Sequence, residues 1–343
     1  MSTKKEPTNA RAYQYGGNYK PSALDILPAS SIPYIQLARL SPPAGLFLIY
    51  FPHLFGVLHA AIRAKTPPLE VLRASTLLLE GSFFFSNAAH TWNDLIDASL
   101  DAQVERTRHR PIPRGAVSKQ AAFIFTMTQG LLAICFLVGF PTSFTESFLY
   151  TLPSVLVTVY YPWAKRHTYI PQVVLGFALA WGIVVGEFAL GVRAILFTQN
   201  SVSSFTVDVD WPILYLFVAG LLWPVIYDTL YAQQDLQADL KVGIKSLAVL
   251  FHGQTKGLLW PLLIAMVASL ILCGWASGFG MIYYVLSVGG VVGSLGAMIF
   301  MVNLTDTQSC WWWFSKGFWL VGGAISGGLL GEYYVGQQAT RIN

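Results

Sequence analysis

The chain has 343 residues, 54% of them hydrophobic and only 11% charged, with a mean hydropathy of +0.53. Soluble domains carry about 25% charged residues, so this composition excludes an ordinary soluble protein and predicts an all-α polytopic membrane protein. The net charge of +4 comes from bases gathered at segment ends, with no basic tail or stripe, which argues against a nucleic-acid partner.

Residues 1–33 are polar and lack helical periodicity, which predicts a flexible leader outside the bilayer. No apolar h-region of a secretory signal is seen there. Glu6, Asp25 and a single Arg also fit a mitochondrial transit peptide poorly. A membrane helix needs about 20 apolar residues, and nine stretches qualify between 34 and 335, leaving 336–343 as a tail. They run 43–62, 71–91, 120–140, 145–163, 172–192, 212–231, 257–275, 281–302 and 314–335. Interior prolines such as Pro52, Pro153 and Pro224 are tolerated in such helices. Gly289 and Gly293, and Gly323, Gly327 and Gly331, repeat every four residues and predict close helix contacts. The polar connection 193–211 reads as a surface loop. Cys135, Cys273 and Cys310 lack CxxC spacing and read as packing residues, while His109 and His167 read as solvated loop residues.

Charge concentrates in two places. Asn93–Gly115, NDLIDASLDAQVERTRHRPIPRG, places Asn93, Asp97 and Asp101 at i, i+4 and i+8, so that on a helix their oxygens stack along one face. Such a column suits a hard cation, Mg²⁺ when phosphate oxygens and water complete the shell. Arg106, Arg108, Arg110 and Arg114 follow, and guanidinium forks match phosphate. More than a hundred residues on, Tyr227–Ser246 repeats the pattern, with Asp228, Tyr231, Asp235 and Asp239 ahead of Lys241 and Lys245. Carboxylates at membrane depth are costly and usually functional, so two such ladders predict one shared site for metal and phosphate.

The first motif, together with YAQQDLQADLKVGIKS in the second, resembles the paired motifs of the UbiA family of intramembrane prenyltransferases. YYPWAKRHTYIPQ, Tyr160–Gln172, is similar to that family's basic loop between the motifs, and RLSPPAG, Arg39–Gly45, stands where its first helix begins. The resemblance spans 34–335. Two departures stand out: Ala238 replaces the first Asp of a DD pair, and Ser41-Pro42 replace an Asp-Lys pair.

The resemblance implies a bundle of nine transmembrane helices around a central site. Asn93, Asp97, Asp101, Asp235 and Asp239 would hold Mg²⁺ and diphosphate, with Arg106, Arg110, Lys165, Arg166 and Lys245 binding diphosphate. Arg108 and Arg114 remain either loop charges or diphosphate ligands, Lys241 either a ligand or an interfacial anchor. Asp94 points about 100° from the ligand face and supports it from behind. Asp228 and Tyr231 either orient the acceptor and steady a carbocation or make a helix–helix hydrogen bond.

The implied reaction transfers a prenyl group, farnesyl by preference, from its diphosphate to a phenolic or pyrone polyketide acceptor in secondary metabolism. The alternative is 4-hydroxybenzoate polyprenylation for ubiquinone, and from another class, a cation-coupled transporter. Lys plus Arg number 16 on the motif-bearing face against 5 on the other, or 8 against 5 without eight site candidates. That excess predicts catalytic loops in the cytosol, in the endoplasmic reticulum with the mitochondrial inner membrane as alternative. On that side the sequon Asn303-Leu304-Thr305 stays unglycosylated.

Overall fold

Helix starts are written locally. The Ser118 and Ser143 hydroxyls accept the Ala121 and Glu146 N–H groups at 3.1 and 3.2 Å, satisfying donors that have no intrahelical partner. Pro68 and Pro171 occupy first helical positions, where a missing N–H costs nothing. A computed structural model describes residues 27–28, 30–40, 43–201 and 204–342. Most of the expected leader, and Ser41 and Pro42, lie outside the described residues.

The elements are α1 (Ile32–Leu37), α2 (Ala44–Ala64), α3 (Pro68–Asp101), α4 (Lys119–Cys135), α5 (Phe144–His167) and α6 (Pro171–Phe188). A hairpin of β1 (Ile195–Ser201) and β2 (Ser204–Val209) leads to α7 (Trp211–Ala232), α8 (Leu236–Val242), α9 (Leu247–Leu250) and α10 (Thr255–Ser277). The chain ends with α11 (Met281–Tyr283), α12 (Gly290–Met301), α13 (Thr307–Trp312) and α14 (Phe318–Ile342), with π-helical turns joining α11 to α12 and α13 to α14. The connection expected as a loop is therefore an antiparallel pair, Ile195 opposite Val209. Phe205, Val207 and Val209 alternate with Thr206 and Asp208 there, a period-two strand signal that the reading as a loop passed over.

Each of the nine expected spans falls on a long helical rod. Among the described residues six of these are long and apolar enough to cross a membrane: 44–64, 119–139, 171–188, 211–242, 255–277 and 281–301. The other three, on α3, α5 and α13–α14, are of lower hydropathy. The molecule is thus an α-helical membrane protein whose only described strands are the hairpin.

Helix contacts run α4–α3–α2–α14–α12–α10–α7–α6–α5, and α2 packs along α6 to divide the bundle into two rings. The α2–α6 crossing depends on glycine. A Cβ on Gly56 would strike the Ile183 carbonyl, and one on Gly186 the His53 carbonyl. The larger ring holds the main core, including Phe55, Phe188, Leu216, Trp223 and Phe318. The ring of α2, α3, α4, α5 and α6 is hollow. Cys273 and Cys310 are buried as expected, but Cys135 is exposed on α4 and packs against nothing in the core. The glycine contacts also differ: Gly331 meets Ile282, Gly322 meets Phe51, Gly290 meets Ala324 and Gly328 meets Ser287, whereas Gly293, Gly323 and Gly327 have nothing within 4 Å.

Candidate active site

α3 runs unbroken through Asn93, Asp97 and Asp101, so the first ladder lies on one helical face, and all three line a cavity of about 250 Å³. Lys165, at the end of α5, reaches across to this face. Its Nζ donates to Asp97 Oδ2 at 3.0 Å and to Asn93 Oδ1 at 3.3 Å. Arg110 folds back from the loop after α3, its Nη1 donating to Asp101 Oδ2 at 2.8 Å and Asp94 Oδ1 at 3.0 Å. Asp94 is fully buried and accepts also from Arg39 Nη2 at 2.8 Å, so it anchors cations behind the site, as its angular offset predicted. Burial opposes the Arg110 charge, but Asp101 and Asp94 raise its proton affinity above the ordinary value.

The second ladder is not one α-helix. α7 ends at Ala232, a 3₁₀ turn covers Gln233–Asp235, and α8 carries Asp239. The tightened turn nevertheless keeps Asp228, Tyr231, Asp235 and Asp239 on the same cavity. Arg106 joins the motifs: Nε donates to Asp235 Oδ1 at 2.7 Å, Nη2 to Oδ2, and Nη1 to the Tyr231 hydroxyl at 2.9 Å. Burial disfavours its charge, while Tyr231 and Asp235 restore it and push the guanidinium well above its ordinary value.

Lys245 also lines the cavity, its backbone N–H bonded to the Lys165 carbonyl at 2.9 Å and its Nζ to the His167 carbonyl at 3.3 Å. Arg166 does not line it. Its Nη2 donates to the Ile96 carbonyl at 2.9 Å and lies 3.7 Å from Asp97 Oδ1 on the outside of α3. Arg114 holds Gln36 and the His109 carbonyl, both at 2.7 Å, Arg108 pairs with Glu105, and Lys241 is exposed. Arg39, Tyr161 and Gln172, which lie in motifs the sequence reading quoted without giving them a role, and Trp311 and Phe314, which it passed over, all line the cavity. Arg39 carries a signal only the backbone gives, a left-handed φ of 52°, a strained state that clusters at functional sites.

Among the described residues no three His, Cys, Asp or Glu side chains form a ready-made metal cage, and Asp97, Asp101 and Asp235 are each paired with Arg or Lys. Mg²⁺ needs only one or two carboxylates when phosphate and water supply the rest. Asp97 Oδ1 is buried without a hydrogen-bond partner, and Asp239 lines the cavity with no ion pair among the described residues. An all-oxygen donor set with free acceptors fits that ion. Beside this cavity, and sharing Ile49, Phe85, Ala89, Thr158 and Leu179 with it, lies an apolar groove of about 400 Å³ in the hollow ring.

Residues 41–322 match the UbiA prenyltransferase family. The chain is 34% identical to the DMOA farnesyltransferase nvfB of Aspergillus novofumigatus over 79% of this chain and 81% of that protein. It is 35% identical to the mitochondrial 4-hydroxybenzoate polyprenyltransferase of Drosophila pseudoobscura pseudoobscura over 84% and 68%. The fold matches a UbiA homolog from Archaeoglobus fulgidus bound to GPP and Mg²⁺, with TM-score 0.61 and 16% identity over 89% of this chain and 99% of that one. With its two acid ladders meeting beside an apolar groove and its sequence matching along most of its length, the chain belongs to the UbiA prenyltransferase family.

Proposed function

We propose that the protein transfers a prenyl group, farnesyl by preference, from its diphosphate to an aromatic or pyrone polyketide acceptor, with Mg²⁺, at the cytosolic face of the endoplasmic reticulum membrane. The observation that carries this reading is a charged cavity opening directly onto an apolar groove, the shape of an amphiphile with an anionic head.

The cavity's charges are balanced, which bears on the metal. Arg39, Arg106, Arg110, Lys165 and Lys245 face Asp97, Asp101, Asp228, Asp235 and Asp239. A diphosphate brings roughly three negative charges to a lining with no net positive charge, so it binds best accompanied by divalent cations. Asn93, Asp97, Asp101, Asp235 and Asp239 would hold these, and the ions would supply Lewis-acid stabilisation of the leaving diphosphate. Arg106, Arg110 and Lys165 turn from their carboxylates to the phosphate oxygens, adding fixed charge where negative charge grows as the C–O bond breaks. Tyr231, with the Phe314 ring 4.4 Å away, offers aromatic faces to the allylic cation. The acceptor's ring carbon bonds to the allylic carbon, and the ring proton passes to Asp228, whose neighbours are Tyr161 and Gln172. The apolar walls keep water from intercepting the cation.

The test is an assay of membranes containing the chain with farnesyl diphosphate, a phenolic polyketide acid, and Mg²⁺ or EDTA. A prenylated aromatic that disappears with EDTA supports the reading, while no product across several chain lengths and acceptors overturns it. The similarity to a 4-hydroxybenzoate polyprenyltransferase sustains a second reading, ubiquinone biosynthesis at the mitochondrial inner membrane. Exclusive use of 4-hydroxybenzoate would establish that one instead.

A further inference from the structure

We propose that the apolar groove is a stepped ruler for the prenyl chain, with Gly130 and Gly81 as its length-determining residues. The inference rests on the prenyltransferase reading above. It adds which chain lengths the site accepts and which side chains set them.

Glycine inside a helix costs about 1 kcal/mol relative to alanine, so each one calls for a reason. Gly56 and Gly186 have one, since a Cβ at either would strike a backbone carbonyl of the facing helix. Gly81 in α3 and Gly130 in α4 have no such packing duty. A Cβ on Gly81 would meet only Phe136, at an ordinary 3.6 Å, and one on Gly130 would meet nothing within 4 Å. Both line the groove. Their missing side chains leave open space that an apolar chain can fill.

Depth follows from helix rise. The groove descends along one stripe of α3, through Trp92, Ala89, Phe85, Ser82, Gly81 and Leu78. Gly130 lies next to Gln129, whose Oε1 accepts from Asn87 Nδ2 at 2.9 Å. Asn87 is six residues from Asn93 in the head-group cavity, or about 9 Å along the helix. Gly81 is twelve residues down, about 18 Å. The floor is sealed one turn further by Leu77, Leu137 and Phe140, the last two buried. Four C–C bonds in zigzag give roughly 5 Å per isoprene unit. Two units therefore reach the Gly130 level, three pass it and stop short of Gly81, four pass Gly81, five reach the floor at about 24 Å, and longer chains do not fit. One escape exists: Phe123 and Met127 of α4 and Val159 of α5 line the groove yet are exposed, so its upper wall is open toward lipid.

The test offers geranyl, farnesyl, geranylgeranyl and hexaprenyl diphosphates together, in equal amounts, to membranes carrying each variant and an acceptor the wild type prenylates. Product ratios within one sample do not depend on how much protein folded. Gly130→Leu is expected to cut the farnesyl-to-geranyl product ratio about tenfold or more, as pocket occlusion by several methylenes does. Gly81→Leu should spare that ratio and cut geranylgeranyl-to-farnesyl by about the same factor. Phe136→Ala, which widens the groove opposite Gly81, should raise the geranylgeranyl share. If leucine at either site abolishes every product, the Gly81→Ala, Gly130→Ala and Phe136→Ala ratios decide the matter in the same directions.

Ratios unmoved by all substitutions, or hexaprenyl used as well as farnesyl, would overturn the ruler alone and mean that the chain leaves sideways past Phe123 and Met127. A wild type that turns over no diphosphate of any length overturns the prenyltransferase reading itself, and the ruler with it.

Discussion

Arg110 serves two carboxylates at once, and the loop after α3 depends on that double bond. Replacing it with alanine leaves the buried Asp101 without its cation and Asp94 with Arg39 alone, a loss of about 3–5 kcal/mol for a broken buried pair. Arg110→Ala is therefore expected to lower the thermal midpoint in detergent sharply. Asp97→Ala and Asp235→Ala differ, because their partners Lys165 and Arg106 are part-exposed at the cavity. Both should retain a near-native midpoint and lose prenyl transfer, and near-normal turnover in both would refute a site built from two ladders. The spacing of these acids was legible in the sequence because a helix converts i, i+4 into neighbours. Their pairing was not, since Arg106 and Asp235 are 129 positions apart and only the bundle decides which base meets which acid. Arg166 illustrates the gap: one position from Lys165 and sharing Asp97 with it, its guanidinium bonds the Ile96 carbonyl and stays out of the cavity.

At the scale of elements, composition located the helices but not their faces. The glycine-rich run from Gly322 to Gly331 has small residues at so many positions that a four-residue repeat can be drawn through several faces, and the packed face proved to be mainly another than the one read. The kink at Gln233–Asp235 was equally hidden, because 3₁₀ and α turns draw on the same residues. The α2–α6 crossing gives a direct test. Gly56→Ala should push the two helices apart and cost about 1–3 kcal/mol, the usual range for overpacking, read as a lower midpoint with aggregation in detergent. The same change at Gly130 should leave the midpoint near that of the wild type, since nothing stands where its methyl would go.

For the whole molecule, low charge and repeated apolar runs sufficed to place the chain in a membrane, and the two motifs sufficed to place the site at one end of the bundle. The hollow ring escaped sequence reading altogether, because a groove is defined by side chains that are missing. Cavity neutrality gives a further prediction. Inorganic diphosphate should raise the thermal midpoint with Mg²⁺ present and leave it unchanged in EDTA; equal stabilisation in both would contradict charge balance. Neutrality also bears on how a reaction cycle finishes. Once the prenyl group has moved, the remaining diphosphate must give up the arms of Lys165, Arg106 and Arg110, and each arm has its own carboxylate waiting within reach. Those ion pairs are thus a position to which the arms return, and their return gives the spent head group a reason to depart.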